Sequence, residues 1–118
     1  MNYGGIYPEC SLRNAKFVVL PVPYDLTSTY QPGSRRGPAA IIEASCNMEL
    51  YDEELKKETY LCGIHTTEPM EVDSRGPKYM VNQVRKKISR IAALDKIPVM
   101  LGGEHSISSG AVEALLEK

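Results

Sequence analysis

The sequence of 118 residues is short enough to form at most one domain, and its composition is that of an ordinary globular protein. Apolar residues make up 42% and charged residues 25%, and 14 basic against 15 acidic side chains give a formal net charge of −1. This balance provides no basic face for nucleic acid, so we expect no nucleic-acid partner. Membrane spans and signal peptides need long apolar runs, which are lacking, so we expect no membrane partner and a cytoplasmic location.

The three cysteines are Cys10, Cys46 and Cys62. They are odd in number and form no CxxC pair, which is typical of free thiols in a reducing compartment. Their spacing argues against a structural zinc site.

The first half of the chain predicts two strands and one helix. Residues 17–22 form an apolar run closed by prolines, which predicts a strand. Residues 24–37 are polar and predict a long loop. Pro38 suits the first position of a helix, which we expect to run to about Leu50. Residues 59–64 predict a weaker second strand.

The second half has a clearer pattern. Apolar side chains recur every three or four positions over residues 77–94, which predicts an amphipathic helix. The apolar run 97–101 predicts a third strand buried on both faces, and residues 106–116 predict a final helix. Strands and helices that alternate in this order predict an α/β fold with a parallel sheet.

The turn after the third predicted strand carries the strongest functional signal. Gly102 and Gly103 allow a tight turn, and His105 then lies where ligands bind in open parallel sheets, beyond the carboxyl ends of the strands. An imidazole there suits a transition metal, with Glu104 or Ser106 supporting it. Two other interpretations remain open: a solvated turn, and an anion site made by backbone N–H groups. The nucleotide motifs GxxxxGK[ST] and GxGxxG are absent.

Two other motifs carry less weight. The segment 106–110 resembles the nucleophile turn of serine hydrolases but lacks the glycine two residues before its serine. His65 follows the predicted second strand, and we expect a partly exposed loop residue rather than a partner of His105.

The segment 32–41 places Arg35 and Arg36 between glycines in the long loop after the first strand. A guanidinium group is suited to clamping a carboxylate, either within the protein or across a subunit boundary. The residue types leave both possibilities open.

Two segments together resemble a known family. The loop Pro23-Tyr24-Asp25 with Pro-Gly-Ser-Arg-Arg-Gly-Pro-Ala-Ala-Ile at 32–41, and the block Leu-Gly-Gly-Glu-His-Ser at 101–106, are similar to those of the ureohydrolases. The form of the loop is closer to agmatinase than to arginase. The resemblance covers about residues 16–118 and corresponds to the N-terminal part of the family's domain, so residues 1–118 would be the N-terminal portion of a single ureohydrolase-like domain.

The resemblance implies a three-layer α/β/α arginase-like fold with a parallel sheet, of which only the N-terminal portion is present. It also implies a binuclear Mn²⁺ site that hydrolyses a guanidinium group, as in the conversion of agmatine to putrescine and urea in polyamine biosynthesis. By the motif match His105 would bind one manganese. Glu104 stands where the family more often has aspartate and, with Ser106, would support that ligand.

The family's further metal motifs, Asp-Ala-His-x-Asp and Asp-x-Asp, are not among these 118 residues. We therefore expect the isolated chain to be incomplete as a catalyst of a small cationic guanidino substrate. The alternatives are a non-catalytic truncated relative that acts as a structural or interaction module, and another ureohydrolase such as a guanidino-acid hydrolase or arginase. An uncovered apolar edge along residues 98–101 leads us to expect a homo-oligomer or a complementary C-terminal chain.

Overall fold

A three-stranded parallel sheet organises the chain, as seen in a computed structural model that describes residues 1–117. Its elements in chain order are β1 (Phe17–Val22), α1 (Gly37–Ser45), β2 (Ile64–Thr66), α2 (Pro77–Ala93), β3 (Ile97–Gly102) and α3 (Ser108–Leu116). Short 3₁₀ turns occupy Tyr3–Gly5, Ser34–Arg36, Thr59–Cys62 and His105–Ile107.

The central strand of the sheet is β1, which pairs in parallel with β2 on one side and with β3 on the other. The β1–β3 pairing runs from Phe17 opposite Ile97 to Val22 opposite Gly102. The predicted parallel arrangement is therefore confirmed. Because β1 lies between two partners, five of its six residues are buried.

The core lies between one face of the sheet and α2. Alternate residues of β1 point into this core. The helix α2 contributes its predicted row of apolar side chains, which are four, four and three positions apart in the sequence. These side chains are Val18, Leu20, Val22, Met80, Val84, Ile88 and Ile91. The side chain of Tyr24, just after β1, is also fully buried there. The predicted helix over 77–94 is confirmed to within one residue.

The opposite face of the sheet carries α1 and an open apolar groove of about 510 Å³. All three strands and α1 contribute to its lining, which includes Phe17, Val19, Ile41, Ile64, Val99 and Leu101. With α2 and α3 on one face and α1 on the other, the chain has the expected three-layer α/β/α arrangement.

The prediction of a strand over 59–64 is wrong. Thr59–Cys62 forms a 3₁₀ turn, and β2 begins at Ile64. Gly63 makes the change of direction at φ +90°, and a Cβ there would lie 2.7 Å from the carbonyl oxygen of Asn14. The strand therefore starts where the chain reaches β1, and not where its apolar residues begin.

The helix predicted from Pro38 to about Leu50 is shorter than expected, because α1 ends at Ser45. The Ser45 hydroxyl donates to the Ile42 carbonyl (2.6 Å) and accepts from the Gly4 N–H (2.8 Å). The N-terminal segment thus packs at the end of α1 in place of a further helical turn.

The expectation that the third strand is buried on both faces is also wrong. The side chains of Ile97 and Val99 are 45% and 38% exposed. Within residues 1–117, β3 pairs with β1 alone, so its other edge has no strand beside it. Its apolar composition is that of a central strand, but its position is that of an edge strand.

Two further expectations concern the cysteines and membranes. Cys10, Cys46 and Cys62 are free, as predicted. In the described part of the chain, no helix is long and apolar enough to cross a bilayer.

Candidate functional site

The loops that follow β1 and β3 meet at the carboxyl ends of these strands and border an open pocket of about 490 Å³. We call it the crevice. One wall is formed by residues 27–31 with Ser34, and the other by residues 103–106. Parallel sheets bind ligands at this edge, so the crevice is the candidate site.

The glycine at position 103 allows the two loops to come together. The Gly103 N–H donates to the Val22 carbonyl (3.3 Å), and the Glu104 N–H donates to the Tyr24 carbonyl (2.7 Å). A Cβ at Gly103 would lie 2.0 Å from the Tyr24 carbonyl oxygen, which no side chain could tolerate. The ladder between β1 and β3 is thereby extended beyond the last strand residues.

The carboxylate of Glu104 connects the two walls of the crevice. Its Oε2 accepts from the Thr27 N–H (2.8 Å), and its Oε1 accepts from the Thr27 hydroxyl and from the Ser106 hydroxyl (2.5 Å). Burial raises the pKa of Glu104, but the hydrogen bonds from Ser106 and Thr27 together outweigh it, so the pKa lies below its ordinary value. Glu104 is therefore an ionised carboxylate, and both of its oxygens accept hydrogen bonds from Thr27 or Ser106.

The imidazole of His105 is exposed at the crevice, at the start of the 3₁₀ turn that precedes α3. Its Nδ1 lies 3.2 Å from the hydroxyl of Ser108. Among residues 1–117, Nε2 has no hydrogen-bonding partner. Glu104, His105 and Ser106 all line the crevice, but the imidazole contacts Ser108, and the Glu104 carboxylate contacts Thr27 and Ser106 instead. The support of His105 by Glu104 or Ser106 therefore stays a prediction.

A complete metal site is not formed by the residues present. In the described residues, no three His, Cys, Asp or Glu side chains form a group that could hold a metal ion. His105 offers one nitrogen, and Glu104 is occupied by Thr27 and Ser106. A binuclear site needs several further donors, so these residues alone do not fit the two manganese ions that the resemblance implies.

The loop after β1 is held by the buried carboxylate of Asp25. Its Oδ2 accepts from the N–H groups of Gly33 (2.7 Å) and Arg35 (3.2 Å). The Arg35 guanidinium lies 3.6 Å from Oδ1. The Gly33 N–H lowers the pKa of Asp25 most, and the N–H and charge of Arg35 add to this against the effect of burial.

Arg35 therefore forms an ion pair with a carboxylate within the protein, one of the two possibilities that the sequence left open. Arg36 is exposed, and its side chain makes no hydrogen bond or ion pair with residues 1–117. Sequence reasoning did not assign a role to Asp25 or Thr27. For Asp25 a signal was present: an aspartate just after a strand, followed at eight to ten residues by a glycine and an arginine.

His65 lies away from the crevice. It is a half-buried residue of β2, and its Nδ1 is 2.8 Å from the Cys10 carbonyl oxygen. The expectation of a loop residue is wrong because β2 begins later than predicted, but His65 does not line the crevice with His105.

A sequence profile of the arginase family matches residues 15–118. The chain belongs to the arginase family. It is 37% identical over 110 residues to an N(1)-aminopropylagmatine ureohydrolase of Synechocystis sp., covering 89% of this chain and 36% of that protein. It is 31% identical over 108 residues to an agmatinase of Bacillus cereus, covering 92% of this chain and 37% of that protein.

Solved structures agree with the fold. The agmatine ureohydrolase of Thermoplasma volcanium matches with a TM-score of 0.85 and 34% identity, over 96% of this chain and 38% of that one. A formiminoglutamase of Trypanosoma cruzi with Mn²⁺ shares the fold alone, with a TM-score of 0.82, 17% identity and coverage of 94% and 38%. The chain thus spans between a third and two-fifths of the length of these relatives and has an arginase-like fold of which a portion is present.

We expect Gly103→Ala to destabilise the fold by more than about 3 kcal/mol, because its methyl group would overlap backbone atoms that cannot move aside. Gly102→Ala is the matched control. Its Cβ would meet the Ile107 Cδ1 at 2.9 Å, the end of a side chain, and we expect a cost of about 1 kcal/mol. Urea denaturation measures both. Equal stability of the two variants would contradict the close approach at Gly103.

We expect Asp25→Asn to lower the urea midpoint at neutral pH. The folded pKa of Asp25 lies below the ordinary value of 3.8, so the folded state binds this proton less readily than the unfolded state. The stabilisation is complete above about pH 3.8 and is lost as the pH falls through the lower folded pKa. The difference in midpoint between the two proteins should therefore shrink below pH 3.8. Glu53→Gln, at an exposed position, is the control at pH 7, and a difference that stays constant down to pH 2 would contradict the assignment.

Proposed function

We propose that this chain is the N-terminal portion of an agmatinase-type hydrolase. The complete domain would cleave the guanidinium group of a small cationic substrate and release urea. The observation that carries the proposal is the exposed imidazole of His105, which lines the crevice and has one ring nitrogen without a hydrogen-bonding partner among residues 1–117. The sequence also matches N(1)-aminopropylagmatine ureohydrolases and agmatinases over most of this chain.

The metal in this proposal is manganese, with His105 as the chain's own ligand. Two-metal hydrolysis requires several carboxylate and imidazole donors around the ions. No three such side chains of residues 1–117 form a group that could hold a metal ion, so in this proposal further donors come from outside this segment. Related folds that hold Mn²⁺ support the choice of metal.

The substrate class follows from the relatives. Agmatine and N(1)-aminopropylagmatine, which give these relatives their names, both carry a guanidinium group on an aliphatic amine. We propose agmatine, cleaved to putrescine and urea, as the substrate of the complete domain.

We expect the isolated chain to release no urea from agmatine with added Mn²⁺, because a single histidine cannot hold two ions.

A chimera of this chain with a longer relative should be active. In it, residues 15–118 replace the matching segment of the Thermus thermophilus N(1)-aminopropylagmatine ureohydrolase, to which this chain is 39% identical over 102 residues. His105→Ala in the chimera should lower the bound manganese and reduce urea release by about 100-fold or more.

His65→Ala is the matched control, since His65 does not line the crevice. It should leave the manganese content of the chimera unchanged. Unchanged manganese in the His105→Ala chimera would contradict the ligand assignment. A folded but inactive chimera would favour the non-catalytic module, and urea release by the isolated chain would show a site built from several copies.

We also propose that the open edge of β3 is covered by a second copy or by a complementary chain. Ile97 and Val99 expose apolar surface along this edge, and the groove beside them is apolar as well. Unpaired strand edges of this composition associate readily.

We expect the chain to sediment at micromolar concentration as a species larger than the monomer. Val99→Lys should shift it toward the monomer, because a charge on an edge strand opposes pairing. Val112→Lys, at an exposed position of α3, is the matched control and should not change the sedimentation. A compact wild-type monomer that unfolds cooperatively would contradict the proposal.

A further inference from the structure

The hydrogen bonds between Thr27 and Glu104 join residues that lie 77 positions apart in the sequence. We call this pair the Thr27–Glu104 clasp. It continues a series of hydrogen bonds between the two loops. The Gly103 N–H donates to the Val22 carbonyl, and the Glu104 N–H donates to the Tyr24 carbonyl. The Glu104 carboxylate then accepts a hydrogen bond from the Thr27 N–H. The clasp is the outermost of these contacts and the only one of them made by side-chain atoms.

The clasp is chemically strong although its hydrogen bonds lie at an exposed position. One carboxylate accepts from a backbone N–H and a hydroxyl of the same residue, and a third donor, Ser106, fixes the carboxylate from its own loop. Hydrogen bonds to a charged acceptor are roughly twice as strong as those between neutral groups. Both groups of Thr27 are used together, which fixes its orientation as well as its distance.

The length of the glutamate side chain matters for this contact. The glutamate side chain carries one more carbon than that of aspartate, and a C–C bond is about 1.5 Å long. An aspartate at 104 would hold its carboxylate nearer its own backbone, next to Ser106 and away from Thr27. The glutamate thus reaches across to the opposite wall of the crevice.

The clasp lies where it can control the shape of the site. Thr27 begins the wall formed by residues 27–31, and Glu104 immediately precedes His105 on the other wall. We propose that Thr27 is a positioning residue that acts through Glu104 to fix the separation of the two walls and the direction in which His105 is presented. The consequence for catalysis rests on the proposed function, whereas the positioning itself is a property of this chain.

Amide hydrogen exchange and the ring resonances of His105, measured by NMR on the full chain, test the positioning. Thr27→Val keeps the shape of the side chain and removes the hydroxyl. We expect exchange at residues 27–31 and 103–106 to rise about tenfold and the His105 ring resonances to shift. Thr27→Ser should restore both, and Glu104→Asp should reproduce the effect at residues 27–31. Thr59→Val, an exposed threonine remote from the crevice, is the matched control and should change neither.

Three results would overturn the proposal: unchanged exchange in Thr27→Val, a uniform increase over the whole sheet, or no rescue by Thr27→Ser. In the chimera with the Thermus thermophilus relative, Thr27→Val should lower kcat about tenfold or more, and Thr27→Ser should recover it. Inactivity of the unmodified chimera would count against the proposed function alone, because the exchange experiment decides the clasp independently.

Discussion

The parallel pairing of β1 with β3 is the contact on which the rest of the structure depends. It aligns the ends of two strands that lie 80 positions apart in the sequence, Val22 opposite Gly102. The loop containing Asp25 and Thr27 and the loop containing Glu104 and His105 must therefore leave the sheet side by side. The same pairing places β1 in the centre, where its alternate residues pack on α2 and build the core. The position of the crevice therefore follows from the register of β1 and β3, and the polar contacts between its walls depend on that register.

Two carboxylates hold the loops at the crevice by hydrogen bonds. Asp25 organises the loop after β1 through the N–H groups of Gly33 and Arg35, and Glu104 joins that loop to the one after β3. Loops are the most mobile parts of a fold, and functional residues on them need support from neighbouring hydrogen bonds. Both carboxylates have lowered pKa values because N–H and O–H donors favour their charged forms, so the network persists at neutral pH. His105 is an exposed residue that lines the crevice next to this network.

The open features of the chain are consistent with its place in the arginase family. Its three strands match a portion of the fold of longer relatives, and it covers 36% to 38% of their length. Within residues 1–117, the edge of β3, the apolar groove beside α1 and the imidazole of His105 are all open to solvent.

The sequence by itself determined the elements whose pattern is local and strong: the apolar runs of β1 and β3, the amphipathic α2, their parallel order, and the Gly-Gly-Glu-His turn. Burial of an apolar stripe fixes such elements wherever they pack. Tertiary structure alone decided the rest. β2 is three residues long and starts at Ile64 because β1 pairs with it there, and α1 ends at Ser45 because Gly4 bonds to that hydroxyl. The exposure of β3 follows from its position at the edge of the sheet formed by residues 1–117, which composition does not reveal. The Thr27–Glu104 clasp joins polar residues that are distant in the sequence, and no local periodicity marks such a pair.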